Sequence, residues 1–417
     1  MTPGAFEAII HHFLLELSQV NLLILDECHH AVKHTYWEVM RCMDMLNPHD
    51  RPQVLGLTTS VINSKATEHQ LGSTSCMASR WLCTRACSRS PTSRAWPGSM
   101  SQEKASQLKE YADALERLEQ WQASYSELTQ DNEQSKYCFD LLKAVTMPVN
   151  ALSTSCSVME KLEQLSNVLS GKPFSCGPRT VSTDTHPLAL RFCLDKLAEK
   201  IVLQGEEQVV SNVEMAYPVA ALAVGLWCRF PDLGDLLEAH FYKRCPALLP
   251  VFFSRSVVSS DIEYLRLCGY KCSGGVLEMD SLFLKRITGL MRLYAAMLQT
   301  PLPPWYKPSA RSRHPPGSER GWQWIAVCLN TPTENPNMAA TLIRAFLEVA
   351  GWALTRDYGN QFRKILDVLF QYYFPRLKQL IKTSSGPVSR LEDLLDQVLR
   401  DGQLVRPRGS LGAQVWK

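Results

Sequence analysis

Phe283-Leu-Lys-Arg-Ile-Thr-Gly-Leu-Met-Arg-Leu-Tyr-Ala-Ala296 is the stretch that decides the fold class. Leu284, Ile287, Leu290, Met291 and Tyr294 recur three or four residues apart, which is the spacing of one buried helix face. Lys285, Gly289 and Arg292 fall on another stripe, with Arg286 beside it. A strand would alternate every second residue, and this segment does not. The same helical period recurs on both sides, predicting helices over 158–169, 186–210, 214–227, 233–244, 261–267, 281–298, 339–357, 360–380 and 388–400. Pro387 suits a first helical turn, and Gly402 follows the last periodic residue. No comparable β alternation is read after residue 100, and no strict repeat emerges. The expectation is a mainly α body over 136–417. Leu108, Tyr111, Leu115, Leu118 and Trp121 predict an amphipathic helix or short coiled coil over 101–135.

Two unlike pieces precede that body. Residues 1–65 read as α/β: Asn21-Leu-Leu-Ile-Leu25 and Val54-Leu-Gly-Leu57 are short apolar runs joined by a helical pattern over 33–46. Runs of this kind belong to a buried parallel sheet. Residues 66–100 read as a disordered, basic, Ser/Arg-rich linker; Ser73 to Met100 has no acidic residue and contains Pro91 and Pro97. Arg80, Arg85, Arg89 and Arg94 are too sparse for a nucleic-acid-binding tail. The segment 300–316 is proline-rich and reads as a loop.

Composition narrows the class. The 417 residues carry 44 Lys+Arg against 41 Asp+Glu, a formal charge of +3, and 45% are hydrophobic. That excludes wholesale disorder and does not advertise a general nucleic-acid binder. The longest apolar run, 217–228, falls short of the roughly 20 residues a bilayer needs, so no membrane span is expected. No secretory leader is read at the N-terminus. The 14 Cys form no CxxC pair, which predicts reduced thiols and no metal site.

Leu22-Leu-Ile-Leu-Asp26-Glu27-Cys28-His29 puts two carboxylates at the tip of a strand, where nucleotide hydrolases hold Mg²⁺ and orient water. The segment resembles motif II of a superfamily-two helicase. Leu55-Gly-Leu-Thr58-Thr-Ser60 resembles motif III, Thr2-Pro3-Gly4 resembles motif Ib, and the wording is most similar to the Dicer branch. No G-x-x-x-x-G-K-S/T loop precedes the carboxylates, and no second RecA-like lobe is read. Asp26 and Glu27 are therefore vestigial on this reading, in an incomplete helicase fragment.

From about Leu115 to Trp416 the chain resembles the Gle-one-like family of nuclear-pore mRNA export mediators. The resemblance is carried by Leu141-Leu-Lys-Ala-Val-Thr-Met-Pro-Val149, Lys196-Leu-Ala-Glu-Lys200, Gln204-Gly-Glu-Glu-Gln-Val209, Ala239-His-Phe-Tyr-Lys-Arg-Cys-Pro246, the opening stretch, Gly321-Trp-Gln-Trp324 and Tyr373-Phe-Pro-Arg376. It implies a HEAT-like helical domain that binds inositol hexakisphosphate. The ligand would bridge to a DEAD-box RNA ATPase and so activate it. It implies further contacts with nucleoporins and with translation initiation and termination factors. The implied location is the nuclear envelope, at the cytoplasmic face of the pore, and the cytoplasm. It implies neither an enzyme nor a sequence-specific nucleic-acid binder. Lys196, Lys200, Lys243, Arg244, Lys285, Arg286 and Arg292 are the cations expected to line the polyanion pocket, and reversing Lys196, Lys285 and Arg292 together is expected to abolish binding. A degenerate helicase relative and a generic helical scaffold are the alternatives.

Overall fold

The computed structural model describes residues 97–416, apart from 132, 155–156, 177–178, 252, 254, 256–259, 308–313, 332 and 382–384, together with 22–25 and 53–56. Asp26, Glu27 and most of the expected linker lie outside the described residues. The chain divides into Met1–Trp96 and Pro97–Lys417. In the first unit, β1 (Leu22–Leu25) and β2 (Gln53–Gly56) pair in parallel, with Leu22 opposite Gln53 and Leu25 opposite Gly56. Parallel pairing requires a crossover between the two, as the apolar runs predict.

The second unit is helical. Its first part comprises α1 (Pro97–Ala123), α2 (Ser126–Gln130), α3 (Ser135–Asn150), α4 (Val158–Leu169) and α5 (Ala189–Gln204). Next come α6 (Ala216–Arg229), α7 (Pro231–Arg244), α8 (Asp261–Leu267) and α9 (Asp280–Gln299). The last are α10 (Ser318–Asn330), α11 (Pro336–Tyr358), α12 (Asn360–Val368), α13 (Phe374–Gln379) and α14 (Gly386–Asp401). Ser157, Ser260, Asn335 and Ser385 each accept a hydrogen bond from the backbone N–H three residues on, which starts α4, α8, α11 and α14. Gly402 closes α14 at φ +69°.

α6 is buried all round from Ala216 to Trp227, so it is the central helix. α9 packs on α6 and α11, α5 on α3 and α7, and α14 on α11. Each fully buried Leu or Ile side chain there, such as Leu290 or Ile287, contributes about 1.5–3 kcal/mol. α11 is 23 residues long and apolar enough to cross a bilayer by composition, yet 78% of its most apolar window is buried. It is the core helix against which α9 and α14 rest. The sequence reading took 217–228 as the longest apolar stretch and passed over this one.

Several elements depart from the sequence reading. α1 starts at Pro97, inside the stretch read as linker, and it docks on its own body. Trp121 Nε1 donates to the Arg191 carbonyl at 3.0 Å, and Glu110 pairs with Arg320 at 2.6 Å. It is therefore neither a free arm nor half of a coiled coil. The helix predicted over 186–210 is α5 followed by a wide π-type turn at 205–209, and 360–380 breaks into α12, a second such turn and α13. α3 carries Pro148 in its interior and α10 was not read as a helix at all. Two hairpins also occur, β3 (Phe174–Cys176) with β4 (Arg179–Val181) and β5 (Cys272–Ser273) with β6 (Val276–Leu277). Gly274 and Gly275, at φ +57° and +81°, form the tight turn of the second. The described parts of the proline-rich stretch, 300–307 and 314–316, are loop as expected; Trp416 Nε1 donates to the Pro301 carbonyl at 2.9 Å.

Candidate polyanion site

The site is assembled from the C-terminal half of α5, the 205–209 turn, the end of α7 and the start of α9. The wide turn adds one residue to the helical ladder and so swings Glu206 and Glu207 away from the α5 faces. A continuous series of ion pairs results. Lys196 Nζ lies 3.0 Å from Glu199 Oε2, and Glu199 Oε1 lies 3.4 Å from Arg244 Nη2. Arg244 Nη1 reaches Glu206 Oε1 at 3.2 Å. Glu206 also receives Lys271 at 2.6 Å and Arg286 at 3.5 Å. Lys200 pairs with Glu207 at 2.8 Å.

Glu206 is 7% exposed, yet three cations converge on it. A buried carboxylate needs such company, because taking an ion out of water costs several kcal/mol. Arg286 is equally buried. It donates to Glu278 Oε2 at 2.8 Å, to the Gly269 carbonyl at 2.6 Å and to the Arg244 carbonyl at 3.1 Å. Its nitrogens are occupied, so Arg286 supports the floor of the site and offers no open face to a solute. Burial works against ionisation of Glu278 and Glu199, but their cationic partners prevail and hold both below the usual carboxylate range. Burial likewise opposes the Lys196 ammonium, and Glu199 with Asp195 more than offsets it, raising its pKa.

Beneath the cluster runs a polar brace. Tyr125 donates to Asp195 Oδ2 at 2.6 Å, and His240 Nε2 lies 2.9 Å from Asp195 Oδ1. Burial would raise the Asp195 carboxyl, but the hydrogen bonds from His240 and Tyr125 outweigh it and bring it down to about 2. The brace ties α5 to α7 and fixes where Lys196 and Arg244 emerge.

The seven cations expected to share one pocket do not meet at one point. Lys196 and Arg244 join the series with Arg286 below them, Lys200 forms a separate pair with Glu207, and Lys243, beside Arg244, is exposed with no ion-pair partner among the described residues. Lys285 points from another face of α9 into a cleft against α11 and α14. Arg292 is bound to Glu348 of α11 at 3.0 Å. Gly289, on the same predicted stripe, is buried against the 205–209 turn. Sequence reasoning missed Lys271. The hairpin brings it opposite Glu278, whose backbone N–H donates to the Lys271 carbonyl at 2.8 Å. The Gly-Gly turn between them was the available signal. No group of three His, Cys, Asp or Glu side chains able to hold a metal occurs among the described residues.

Chemically this is a salt-paired surface. Lys196, Lys200, Arg244 and Lys271 keep side-chain exposures of 28, 17, 17 and 53%. A solute that bound there would have to offer denser negative charge than Glu199, Glu206 and Glu207 supply.

Residues 116–370 match the family described as GLE1-like protein. The chain is 38% identical over 303 residues to the mRNA export factor GLE1 of Mus musculus, covering 70% of this chain and 42% of that protein. It is 36% identical over 275 residues to the Danio rerio factor, covering 65% and 39%. The chain thus spans less than half the length of these curated relatives. Its N-terminal fragment matches endoribonuclease Dicer homolog 1 of Arabidopsis thaliana, with 41% identity over 73 residues, or 17% of this chain and 4% of that one. In fold the chain is similar to the Gle1 helical domain, in a solved complex of the S. cerevisiae Dbp5 C-terminal domain bound to Gle1 and IP6. The TM-score is 0.59 at 18% identity, covering 73% of this chain and all of the other.

Proposed function

The chain belongs to the GLE1-like family, and from that premise we propose that its helical unit acts as an mRNA export factor that binds inositol hexakisphosphate at the Lys196–Arg244–Lys271 cluster. Through that ligand it engages and stimulates a DEAD-box RNA ATPase of the Dbp5 kind. The observation that carries the reading is Glu206, a buried carboxylate shared by Arg244, Lys271 and Arg286. A dense polyanion takes the outer cations from the carboxylates at little cost in reorganisation, since Arg286 and the Asp195 brace already hold them in place.

On this reading the protein works at the cytoplasmic face of the nuclear pore and in the cytoplasm. Nucleoporins and translation initiation and termination factors are its further partners. On this reading the helical unit acts by binding its ligand and its ATPase partner rather than by catalysis of its own. The site comprises Lys196, Lys200, Lys243, Arg244 and Lys271, with Arg286 as support; Lys285 and Arg292 fall outside it.

The test is calorimetric titration of inositol hexakisphosphate into wild type and Lys196→Glu/Lys271→Glu. Two lost charge-assisted contacts weaken affinity by at least about 100-fold. Stimulation of a Dbp5-type ATPase by the ligand and the wild-type chain together should vanish with the variant. Unchanged affinity in a folded variant refutes the site.

A further inference from the structure

A second cationic feature lies outside that cluster. Between α9, α11 and α14 opens a cleft of about 440 Å³ whose walls carry Lys285, Arg344 and Arg390. Among the described residues lining it there is no carboxylate. Lys285 and Arg390 are exposed and have no ion-pair partner among the described residues. Among the described residues Arg344 is paired only with Glu348, one turn along α11, and Glu348 is already shared with Arg292. One carboxylate thus serves two guanidiniums, and the cleft keeps a net positive charge. An adjoining cavity of about 320 Å³ shares Arg344 and Arg390 and adds Glu348 and Asp393. The uncompensated end is therefore the one at Lys285.

The backbone reinforces the side chains. Ser281, Asn337 and Pro387 line the cleft and belong to the first turns of α9, α11 and α14, so three helix N-termini border it, that of α9 with Asp280 beside it. Two forked guanidiniums and an ammonium suit phosphate oxygens, and clustered phosphates bring enough negative charge to engage all three at once. The volume exceeds that of a single phosphate ion, whose share is comparable to a few waters at roughly 30 Å³ each.

We propose that this cleft is a second anion site, separate from the salt-paired cluster, which takes a ligand bearing clustered phosphate groups, either a free polyphosphate or a phosphorylated lipid headgroup. The proposal does not rest on the family reading, because neither its residues nor its charge balance involve the cluster. The two sites also differ in kind. The cluster must exchange its own carboxylates for a ligand, whereas the cleft offers cations with no counter-charge to displace.

The test uses the full chain and inorganic tripolyphosphate as the probe. Calorimetry of the wild type should show two equivalents bound. Lys285→Glu/Arg390→Glu should lose one of them, with affinity at that site down by about 100-fold. Lys196→Glu/Lys271→Glu should keep the cleft equivalent. The milder Lys285→Gln/Arg390→Gln, matched to wild type by circular dichroism, should fall between. In a second arm, the chain is floated with vesicles containing phosphatidylinositol bisphosphate. Flotation that depends on Lys285 and Arg390, without tripolyphosphate binding at the cleft, supports the site with a lipid headgroup as its ligand. Tripolyphosphate binding there without flotation supports it with a free polyphosphate. Identical stoichiometry and affinity in wild type and cleft variant, with no flotation, overturns the proposal. Loss of the cluster's equivalent alone in Lys196→Glu/Lys271→Glu bears on the proposed function and leaves the cleft standing, whereas a cleft variant that keeps its cleft equivalent overturns the proposal.

Discussion

Gly289→Ala is the substitution in which packing and function meet most directly. α9 crosses the 205–209 turn so closely that a Cβ at Gly289 would lie 2.0 Å from the Gly205 carbonyl oxygen and 2.5 Å from Val210 Cγ2. A carbon and a carbonyl oxygen ordinarily stay about 3.3 Å apart, so the gap must open by roughly 1.3 Å. The obstructing atom is backbone and cannot rotate aside. Two effects compete. Alanine in place of glycine in a helix interior stabilises by about 1 kcal/mol. Overpacking a close-packed contact costs about 1–3 kcal/mol, and a backbone obstruction belongs at or above the top of that range. The clash wins by about 2 kcal/mol. At about 1.5 °C per kcal/mol for the unit Pro97–Lys417, the melting temperature should fall by about 3 °C. The displaced turn carries Glu206 and Glu207, so the anchors of Arg244, Lys271 and Lys200 move with it, and affinity for inositol hexakisphosphate should change in the same variant. Differential scanning calorimetry and a ligand titration on one preparation read both effects. A melting temperature that rises, with affinity untouched, would show that helix propensity dominates and that the turn is free to yield; the reasoning about α9 would then be wrong.

The pH dependence follows from Asp195. Its folded-state carboxyl lies near 2, below the ordinary 3.8, so its contribution is present above about pH 4 and lost as pH falls toward 2. That amounts to about 2 kcal/mol. Asp195→Asn should flatten the urea-midpoint profile across that window, and an unchanged slope would exclude the brace as its source. Arg320→Ala removes the 2.6 Å pair to Glu110 and the 3.3 Å hydrogen bond to the Tyr242 hydroxyl. Amide exchange in α1 should rise by about fivefold while α6 and α11 keep their protection, corresponding to about 1 kcal/mol at a half-exposed pair. Purified chain alone should release no phosphate from ATP with or without RNA. RNA-stimulated release that Glu27→Gln abolishes would restore the helicase fragment to function.

Helices that carry their own signals were legible residue by residue. The intervals 158–169 and 261–267 coincide with α4 and α8, whose apolar period begins just after a capping serine. Pro387 and Gly402 bracket α14 for reasons that are local to the backbone. The misses have equally specific causes. Pro148 argues against a helix, but it sits two residues before the end of α3, so it removes one hydrogen bond near the terminus rather than breaking the helix. The wide turns leave the apolar spacing almost intact, so 186–210 reads as one helix. Lys285 and Arg286 are neighbours in sequence with opposite fates. Which of them is buried depends on Glu206 and Glu278, and Glu206 is 80 residues away. Gly289 had no side chain to betray its face, and the stripe it shares with Lys285 and Arg292 hid a backbone crossing. Cationic spacing therefore located the cluster's helices, while the interleaved carboxylates, which set its chemistry, were tertiary facts.

Those carboxylates have a consequence for traffic with RNA. A nucleic-acid backbone presents its charges singly along an extended line, held by counterion release. Against Glu199, Glu206 and Glu207, each already seated on its cation, such a line gains little by exchange. A compact ligand that brings several phosphates to one spot replaces all three at once. If the proposed site is right, the internal counter-ions set a threshold on charge density: they would keep this salt-paired surface from adhering to every transcript and yield it only to a ligand whose charge is concentrated.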